Sequence, residues 1–454
     1  MMKSPLFWKA STLIGCIVLL LIPLTLVSML VSGREGYRSD VEDALRQSTS
    51  GPQKLVGPLI AIPATEIYTR IEEGKEVEHK RSFIHFWLPE SLMVDGNQNV
   101  ESRKIGIYEG QIWHNDIDLK AQFDSSKLES LQGENITLGK PYIVVGVSDA
   151  RGIGTVTASI DKGDALTVEP GSAVSGDLQG LHIPLSEGVL QQGKLNVDLS
   201  LQLSGTGSFS VVPLGRNSEL SLQSNWPHPG FVGSFLPVTR KISETGFQAQ
   251  WKSSWFANDL GSQFSDTGRV PWYSLKAFSV SVATPADQYQ LTDRALKYAI
   301  LLIVLTFMAF FIFETLTALQ LHPMQYLLVG LSLVLFYLVL LALSEHIGFT
   351  PAWIAASLVG ALMNGTYLQA VLKGWRNSLL FTGALLGLDG VMWFLLRSED
   401  SALLLGTGVL LIALFAVMFL TRNVDWYSLS RPKQPQDSPE DDTGGDDEPL
   451  RVWK

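Results

Sequence analysis

The residues best suited to chemistry are polar side chains inside long apolar runs, because a charge in hydrocarbon is costly and usually functional. Asp389 lies deepest, Glu314 lies towards the end of another apolar run, and Asn364 and Gln369 lie in a third. At 1.5 Å of rise per residue, Asp389 and Glu314 are about 10 Å apart in depth. The two carboxylates can therefore be steps in a relay, but they cannot form one ion pair.

Two interpretations of Asp389 remain open. In the first, which we favour, the carboxylate bonds to a neighbouring helix such as the one that carries Asn364. Gly383 and Gly387 then form a small-residue face on the helix of Asp389, which favours close helix packing. In the second, Asp389 belongs to a conduction path through the membrane.

Motifs for catalysis or metal binding are incomplete in this sequence. Gly188–Lys194 has the spacing of a phosphate-binding loop, but Leu195 follows where Ser or Thr is needed. Leu13–Cys16 resembles a lipoprotein cleavage box, yet the apolar run continues far past the cysteine. The seven histidines are scattered, and no two have the spacing of metal ligands on one helix. Since no nucleophile and base stand at useful spacing, we predict a protein that is not an enzyme and has no cofactor or metal site.

The overall composition excludes several classes of protein. Of the 454 residues, 46% are hydrophobic and 17% are charged, so the average combines a membrane part with a soluble part. The net charge of −10 argues against a nucleic-acid partner, because such proteins need a basic face to displace counterions. A single cysteine excludes an intramolecular disulfide framework and any multi-cysteine metal site.

The elements that must position the polar residues are apolar segments long enough to cross a bilayer. About 20 apolar residues span a hydrocarbon layer of about 30 Å. The first segment has no charge between Lys9 and Arg34, and it exceeds the apolar core of a signal peptide. The predicted transmembrane helices are 10–32, 298–319, 325–344, 351–372, 378–396 and 402–421.

Basic residues in the short flanking segments predict the orientation. Lys9 precedes the first helix, and Arg422 follows the sixth. Lys373 and Arg376 lie between the fourth and fifth helices, so with six crossings all these charges fall on one side. The opposite short loops are mostly acidic. The positive-inside rule therefore puts both termini in the cytoplasm.

This topology divides the chain into compartments. Residues 1–9 are cytoplasmic, and residues 33–297 form a periplasmic domain. Residues 422–454 form a polar, acidic cytoplasmic segment that we expect to be disordered, because it cannot bury a core. Glu345 and His346 lie at the outer boundary of the membrane, where we expect a local hydrogen-bonded pair.

The sequence of the periplasmic region predicts a short helix followed by strands. Tyr37–Gln53 has helical periodicity, and Ser50–Pro52 is a stop signal. Leu195–Leu203 alternates apolar and polar residues, which is typical of a strand with one buried face. Further β-rich runs are 83–88, 142–147, 154–160, 208–212, 220–223 and 277–283. The sequence thus predicts an α+β membrane protein with six transmembrane helices, one N-terminal and five C-terminal, and a large β-rich periplasmic domain built as a sandwich or meander.

Several motifs resemble those of the CreD family of bacterial inner-membrane proteins. They are Gln53–Pro58, Asn225–Gly233, His322–Leu331, Leu343–Phe349 and Glu399–Gly406. With the one-plus-five order of helices, the resemblance covers nearly the whole chain. It implies an inner-membrane protein that supports cell-envelope integrity, with genes controlled by the CreBC two-component system and an association with colicin tolerance and β-lactam stress. The resemblance implies no catalytic residues.

Residue types and motifs together nominate candidate functional positions without assigning chemistry to them. These are Glu314, His322, Gln325, Glu345, His346, Asn364, Asp389 and Trp226. The leading hypothesis is a non-enzymatic envelope protein whose β domain binds a periplasmic or wall-associated partner while the helices lie in the lipid bilayer. The alternative is a transporter or lipid-handling protein with a polar path near Asp389. The oligomeric state stays open.

Overall fold

The computed structural model describes residues 5–424 apart from a number of short segments. These segments are 73–74, 107, 127, 129–134, 175, 177, 192, 259–263, 265–269, 283–287, 318–320, 372–373, 399–401 and 423. Lys373, part of the motif that begins at Glu399, and the acidic segment from residue 425 therefore lie outside the described residues. The chain divides into a helical unit, Met1–Gly33 with Gln288–Lys454, and a sheet-rich unit, Arg34–Asp287.

The helices account for both ends of the chain. They are α1 Pro5–Ser48, α2 Trp255–Asn258, α3 Gln288–Lys297, α4 Ala299–Thr317, α5 Pro323–Ile347, α6 Phe349–Val371, α7 Trp375–Arg397 and α8 Ala402–Thr421. Five described helices are long and apolar enough to cross a membrane, or six if α3 and α4, which meet at 44°, form one bent span. The predicted combination of apolar helices with a large sheet-rich region is confirmed.

The first helix differs from its prediction. The sequence suggests a transmembrane helix over 10–32 and a second helix from Tyr37, whereas α1 is continuous over 44 residues. Gly33 and Gly36 do not interrupt it, because a glycine inside a helix costs only about 1 kcal/mol relative to alanine. The helix ends at Ser48, directly before the predicted stop signal. The bounds of α4 to α8 lie within one turn of those predicted.

The end of the predicted periplasmic domain also differs. The sequence extends that domain to residue 297, but α3 groups with the helical unit. Tyr289, Thr292, Ala295 and Leu296 recur at helical spacing along α3 and are buried. One apolar face of this charged segment therefore packs within the helical unit.

Sixteen described strands form the sheet-rich unit. They are β1 Gln53–Glu72, β2 Lys75–Trp87, β3 Ser91–Ile105, β4 Tyr108–Asp124, β5 Ile136–Leu138, β6 Tyr142–Val147, β7 Ile153–Ile160, β8 Glu169–Pro170, β9 Gln179–Pro184, β10 Lys194–Thr206, β11 Ser208–Val211, β12 Asn217–Ser224, β13 Pro229–Gly233, β14 Thr239–Ser243, β15 Gly246–Ser254 and β16 Phe278–Val282. One sheet has the order β13-β16-β11-β1-β6-β9-β8, with β2 and β5 also paired to β1. The other has the order β14-β15-β12-β3-β4-β10-β7.

Both sheets contribute to one core, as a sandwich requires. Along β10, alternate residues from Leu195 to Leu203 are buried, as the period of two predicts. Trp113 of β4 and Phe209 of β11 belong to different sheets, and their buried rings lie 5.5 Å apart in an edge-to-face contact. Such a contact adds about 0.5–1.5 kcal/mol to the hydrophobic stabilisation. The strand β10 begins where the phosphate-loop-like spacing ends, so that segment leads into a strand and not into a helix.

Candidate functional site

Glu314 makes an ion pair and hydrogen bonds with several elements of the helical unit. The side chain is 3% exposed and makes an ion pair with Lys9 of α1. It also accepts hydrogen bonds from the hydroxyl of Tyr326 on α5, at 2.9 Å, and from the backbone N–H of Leu321, at 2.8 Å. A buried carboxylate is tolerated only when it is paired and hydrogen-bonded. Glu314 therefore links α1, α4 and α5, and its carboxylate is engaged in these internal contacts.

Sequence reasoning identified Glu314 but missed its partners. Lys9 entered only as a charge for orientation, and Tyr326 only as part of a motif. A signal was nevertheless present. In a six-helix topology the start of α1 and the end of α4 lie at the same membrane surface, so Lys9 and Glu314 have matching depth. Equal depth and opposite charge could have predicted the pair.

His322 and Gln325 cap the start of α5. The Nδ1 atom of His322 accepts the backbone N–H of Met324 at 3.2 Å, and the Oε1 atom of Gln325 accepts the backbone N–H of His322 at 2.9 Å. Reciprocal contacts of this kind satisfy N–H groups that have no partner within the helix. Pro323 follows at the first helical position, where a missing N–H is harmless. The motif His322–Gln325 is thus a helix start.

Asn364 joins α6 to α5. Its Oδ1 atom accepts a hydrogen bond from the Ser332 hydroxyl of α5 at 2.8 Å, and both residues are buried. Its Nδ2 atom donates to the carbonyl of Gly360 at 3.0 Å. The helix that carries Asn364, α6, does contact Asp389 as expected, but through other residues, Trp353 and Ser357.

Asp389 meets α6 through its backbone. The Trp353 indole N–H donates to the carbonyl oxygen of Asp389 at 3.2 Å. Ser357 of α6 and Tyr337 of α5 lie beside the carboxylate. Among the described residues, no cation forms an ion pair with it. The half-buried carboxylate therefore lies where α5, α6 and α7 come together.

The small-residue packing surface lies elsewhere than predicted. A Cβ atom added at Gly383 or Gly387 would meet nothing within 4 Å. At Gly330 of α5, by contrast, it would collide with Leu20 of α1 and lie 3.0 Å from Phe307 of α4. At Gly330 of α5, where three helices meet, the missing side chain therefore leaves room for the side chains of Leu20 and Phe307.

Glu345 and His346 have separate environments. The carboxylate of Glu345 accepts a hydrogen bond from the hydroxyl of Tyr289 on α3 at 3.3 Å, and Tyr289 is buried. His346 is exposed. Adjacent residues on a helix point in different directions, so the predicted local pair is disfavoured by geometry. Glu345 instead joins α3 to the end of α5.

Trp226 lies in the sheet-rich unit, in the turn before β13. Its indole N–H donates to the carbonyl of His228 at 3.1 Å, and its ring is half-buried. The preceding Asn225, which sequence reasoning did not single out, accepts the backbone N–H of Val100 at 2.8 Å and donates to Asn99 at 2.7 Å. These contacts hold the turn against β3 and direct the chain into β13.

Hydrogen bonds from the motif Gln53–Pro58 hold the start of β1 in place. The side-chain amide of Gln53 donates to the carbonyl of Asp149 at 2.8 Å and accepts its backbone N–H at 3.1 Å. Lys54 donates to the carbonyl of Tyr273 at 2.8 Å, and burial lowers the pKa of its ammonium group. The guanidinium of Arg151, hydrogen-bonded to Asp149, lowers the pKa of that carboxyl. These groups stabilise the fold and do not face a ligand cavity.

Taken together, the eight nominated residues do not converge on one site. Seven lie in the helical unit at several helix junctions, and Trp226 lies in the sheet-rich unit. Within the described part of the chain, no group of three or more His, Cys, Asp or Glu side chains could hold a metal ion. The geometry is that of internal contacts that join helices and turns.

Comparison with known proteins covers both units. A family model described as "Inner membrane protein CreD" matches residues 5–427. The chain is 67% identical to Inner membrane protein CreD of Escherichia coli (strain K12) over 454 residues, which is 100% of each chain. The match includes the apolar helices as well as the strands, which supports a multi-pass protein of the inner membrane. The chain belongs to the CreD family of inner membrane proteins.

Proposed function

We propose that this protein supports cell-envelope integrity and the envelope stress response without enzymatic chemistry. In this proposal the helical unit anchors the chain in the inner membrane, and the sheet-rich unit lies in the periplasm and binds a partner. The family resemblance supports the role in the envelope, including tolerance of colicins and of β-lactam stress.

One observation carries the division of roles between the units. The polar side chains at the helix junctions mostly bind one another, as Glu314 does with Lys9 and Asn364 does with Ser332. Polar groups used in this way stabilise helix association in lipid. The sheet-rich unit, in contrast, presents many polar side chains to solvent along its strands over 254 residues, Arg34–Asp287. It is therefore the better candidate for binding.

The topology is tested with reporter fusions in cells. Alkaline phosphatase, which is active only in the periplasm, is fused near Ala150, and green fluorescent protein, which is fluorescent only in the cytoplasm, is fused near Glu440. We expect activity from the first fusion and fluorescence from the second. If both positions report the same compartment, the proposed topology is wrong.

Partner binding is tested by photocrosslinking in intact cells. Crosslinking amino acids are placed at exposed positions throughout the sheet-rich unit, and products are compared between unstressed and β-lactam-treated cells. We expect a heteromeric product from a confined set of positions. Crosslinks to the chain itself and to nothing else, from every position, would contradict the proposal.

A polar path near Asp389 is the second candidate function. It is favoured by a single observation: among the described residues, no cation pairs with this half-buried carboxylate. Asp389→Asn removes the charge and nearly preserves the shape, and Asp293→Asn on α3, whose carboxylate pairs with Lys297, is the comparison variant. An unchanged envelope phenotype at normal protein levels removes the path, whereas loss of function in a folded protein supports it.

A further inference from the structure

The sheet-rich unit has an open side formed by two consecutive strands. Strand β13 is the end strand of one sheet, and β14 is the end strand of the other. Phe231 of β13 lies 5.8 Å from the ring of Phe247 and 5.8 Å from the ring of Trp251, both on β15. The two end strands therefore lie next to each other across the core, and residues 234–238 connect them.

This open side exposes apolar side chains. All five residues of β14 are exposed. Four large apolar side chains between β13 and the end of β14 are also exposed: Val232, Leu236, Val238 and Ile242, at 46%, 71%, 64% and 53%. Scattered exposed apolar residues are ordinary, but these four belong to the two end strands or to the segment that joins them, where a partner strand would add.

The same strand carries two cations. Arg240 pairs opposite Ala249, and Ile242 opposite Phe247, so both point to the core-facing side of the sheet. Lys241 points to the other side, next to Gln248. The guanidinium of Arg240 lies 5.9 Å from the centre of the Phe231 ring. In the described part of the chain, neither cation forms an ion pair.

The charges on β14 distinguish between two strands that could pair with it, a second copy of β14 and an acidic strand of another protein. An end strand leaves every second N–H and C=O group directed outwards, where another strand can pair with them. A second copy of β14, paired antiparallel and centred on Lys241 for the longest overlap, would place Lys241 opposite Lys241, and like charges on opposing strands are destabilising. An acidic strand avoids this repulsion, because its carboxylates would lie opposite the cations of β14. The carboxylates of Asp95, Asp116 and Asp118, on β3 and β4, line one cavity with Arg240 and Lys241 and partly offset their charge there. Among the described residues none of the three forms an ion pair with either cation, so both cations can still pair with a carboxylate of an added strand.

We propose that β14 binds an extended acidic segment of a partner protein by strand addition. Since Arg240 and Lys241 point to opposite faces, the partner needs two successive acidic residues. Since Ile242 shares the face of Arg240, it also needs an apolar residue two positions from one of them. Backbone pairing provides the general affinity, and these side chains provide the specificity. The proposal rests on the proposed function, in which the sheet-rich unit is the partner-binding part.

The test uses the full-length protein in lipid nanodiscs and defined peptides. The probe is a short fluorescent peptide of alternating Thr and Val with two successive Asp residues at its centre, and the control peptide has Lys in place of Asp. We expect the acidic peptide alone to bind. Arg240→Glu combined with Lys241→Glu should weaken binding by about tenfold, which corresponds to about 1.4 kcal/mol. Lys140→Glu, at an exposed position outside both end strands, is the control and should have little effect.

Hydrogen exchange separates strand addition from simple charge attraction. Strand addition should slow amide exchange in β14 when the acidic peptide is bound, whereas binding without protection of β14 overturns the proposal. Equal binding of both peptides also overturns it, as does a crosslink at position 242 that joins two copies of the chain. If neither peptide binds but photocrosslinking in cells finds a partner elsewhere on the sheet-rich unit, β14 is not the binding edge and the proposed function stands. If no position on the sheet-rich unit crosslinks to a partner and neither peptide binds, both the strand-addition proposal and the proposed partner-binding function are refuted.

Discussion

Replacing Lys9 by Met should weaken the attachment of the N-terminal helix to the rest of the helical unit. The Lys9 ammonium pairs with the carboxylate of Glu314, and the two side chains are 37% and 3% exposed. After the substitution, the donors that the described residues still offer the buried carboxylate are the Tyr326 hydroxyl and the Leu321 N–H. Both are neutral, so the charge of Glu314 loses its compensation.

The expected magnitude lies between those of buried and exposed ion pairs. Removing one partner of a fully buried pair costs about 3–5 kcal/mol, whereas exposed pairs contribute about 0–1 kcal/mol. Because more than a third of Lys9 is exposed, solvent screens the pair, and we expect Lys9→Met to cost about 1–3 kcal/mol. Glu314→Gln should cost about 1 kcal/mol, since the ammonium of Lys9 can then turn towards water. The double variant should cost less than the sum by about 1 kcal/mol.

The single cysteine offers an assay that needs no engineered label. Cys16 lies on α1, and its sulfur is 4.0 Å from the carbonyl oxygen of Pro323 at the start of α5. A dye that fluoresces when it reacts with a thiol therefore reports separation of α1 and α5 as the purified full-length protein is unfolded by heat or by SDS. Lys297→Met is the matched control, because its ion pair with Asp293 is an exposed helical pair worth about 0.2–0.5 kcal/mol.

Two outcomes would refute the reasoning. One is equal destabilisation by Lys9→Met and Lys297→Met, which would mean that the Glu314 contact is no stronger than a surface pair. The other is strict additivity in the double variant, since independent costs show no coupling between Lys9 and Glu314.

Three further predictions follow from contacts in the two units. Gly330→Val should lower the stability of the helical unit by about 1–3 kcal/mol through collision with α1, whereas Gly387→Val should have little effect because a Cβ has open space there; thermal unfolding of both variants compares them. Ser332→Ala leaves the Asn364 carbonyl without its donor and should cost about 0.6–1.7 kcal/mol in the same assay. Asp149→Asn should lower the unfolding temperature of the sheet-rich unit at pH 7. Because its hydrogen bonds with Arg151 lower the pKa of Asp149, the stability it provides is present above about pH 4 and is lost as pH falls further. The difference between wild type and variant should therefore shrink at low pH, and a constant difference would contradict this cause.

Local patterns in the sequence predicted the elements well. The apolar run at 402–421 coincides with α8, and the alternation at Leu195–Leu203 lies within β10. Both signals depend only on neighbouring residues, namely a length of apolar chain and a period of two. The continuity of α1 was harder to predict, because its N-terminal part is apolar and its C-terminal part is polar, so the composition changes without a break in the helix.

What the sequence determined by itself is the division into apolar helices and amphipathic strands, because hydropathy and periodicity are properties of the local chain. The tertiary structure alone decided which polar groups meet. Lys9 and Glu314 are far apart in the chain, and Asn364 faces Ser332 and not Asp389. Those contacts depend on which helices adjoin and how each is rotated about its axis. Likewise, only the order of strands in the two sheets reveals that β13 and β14 are both end strands.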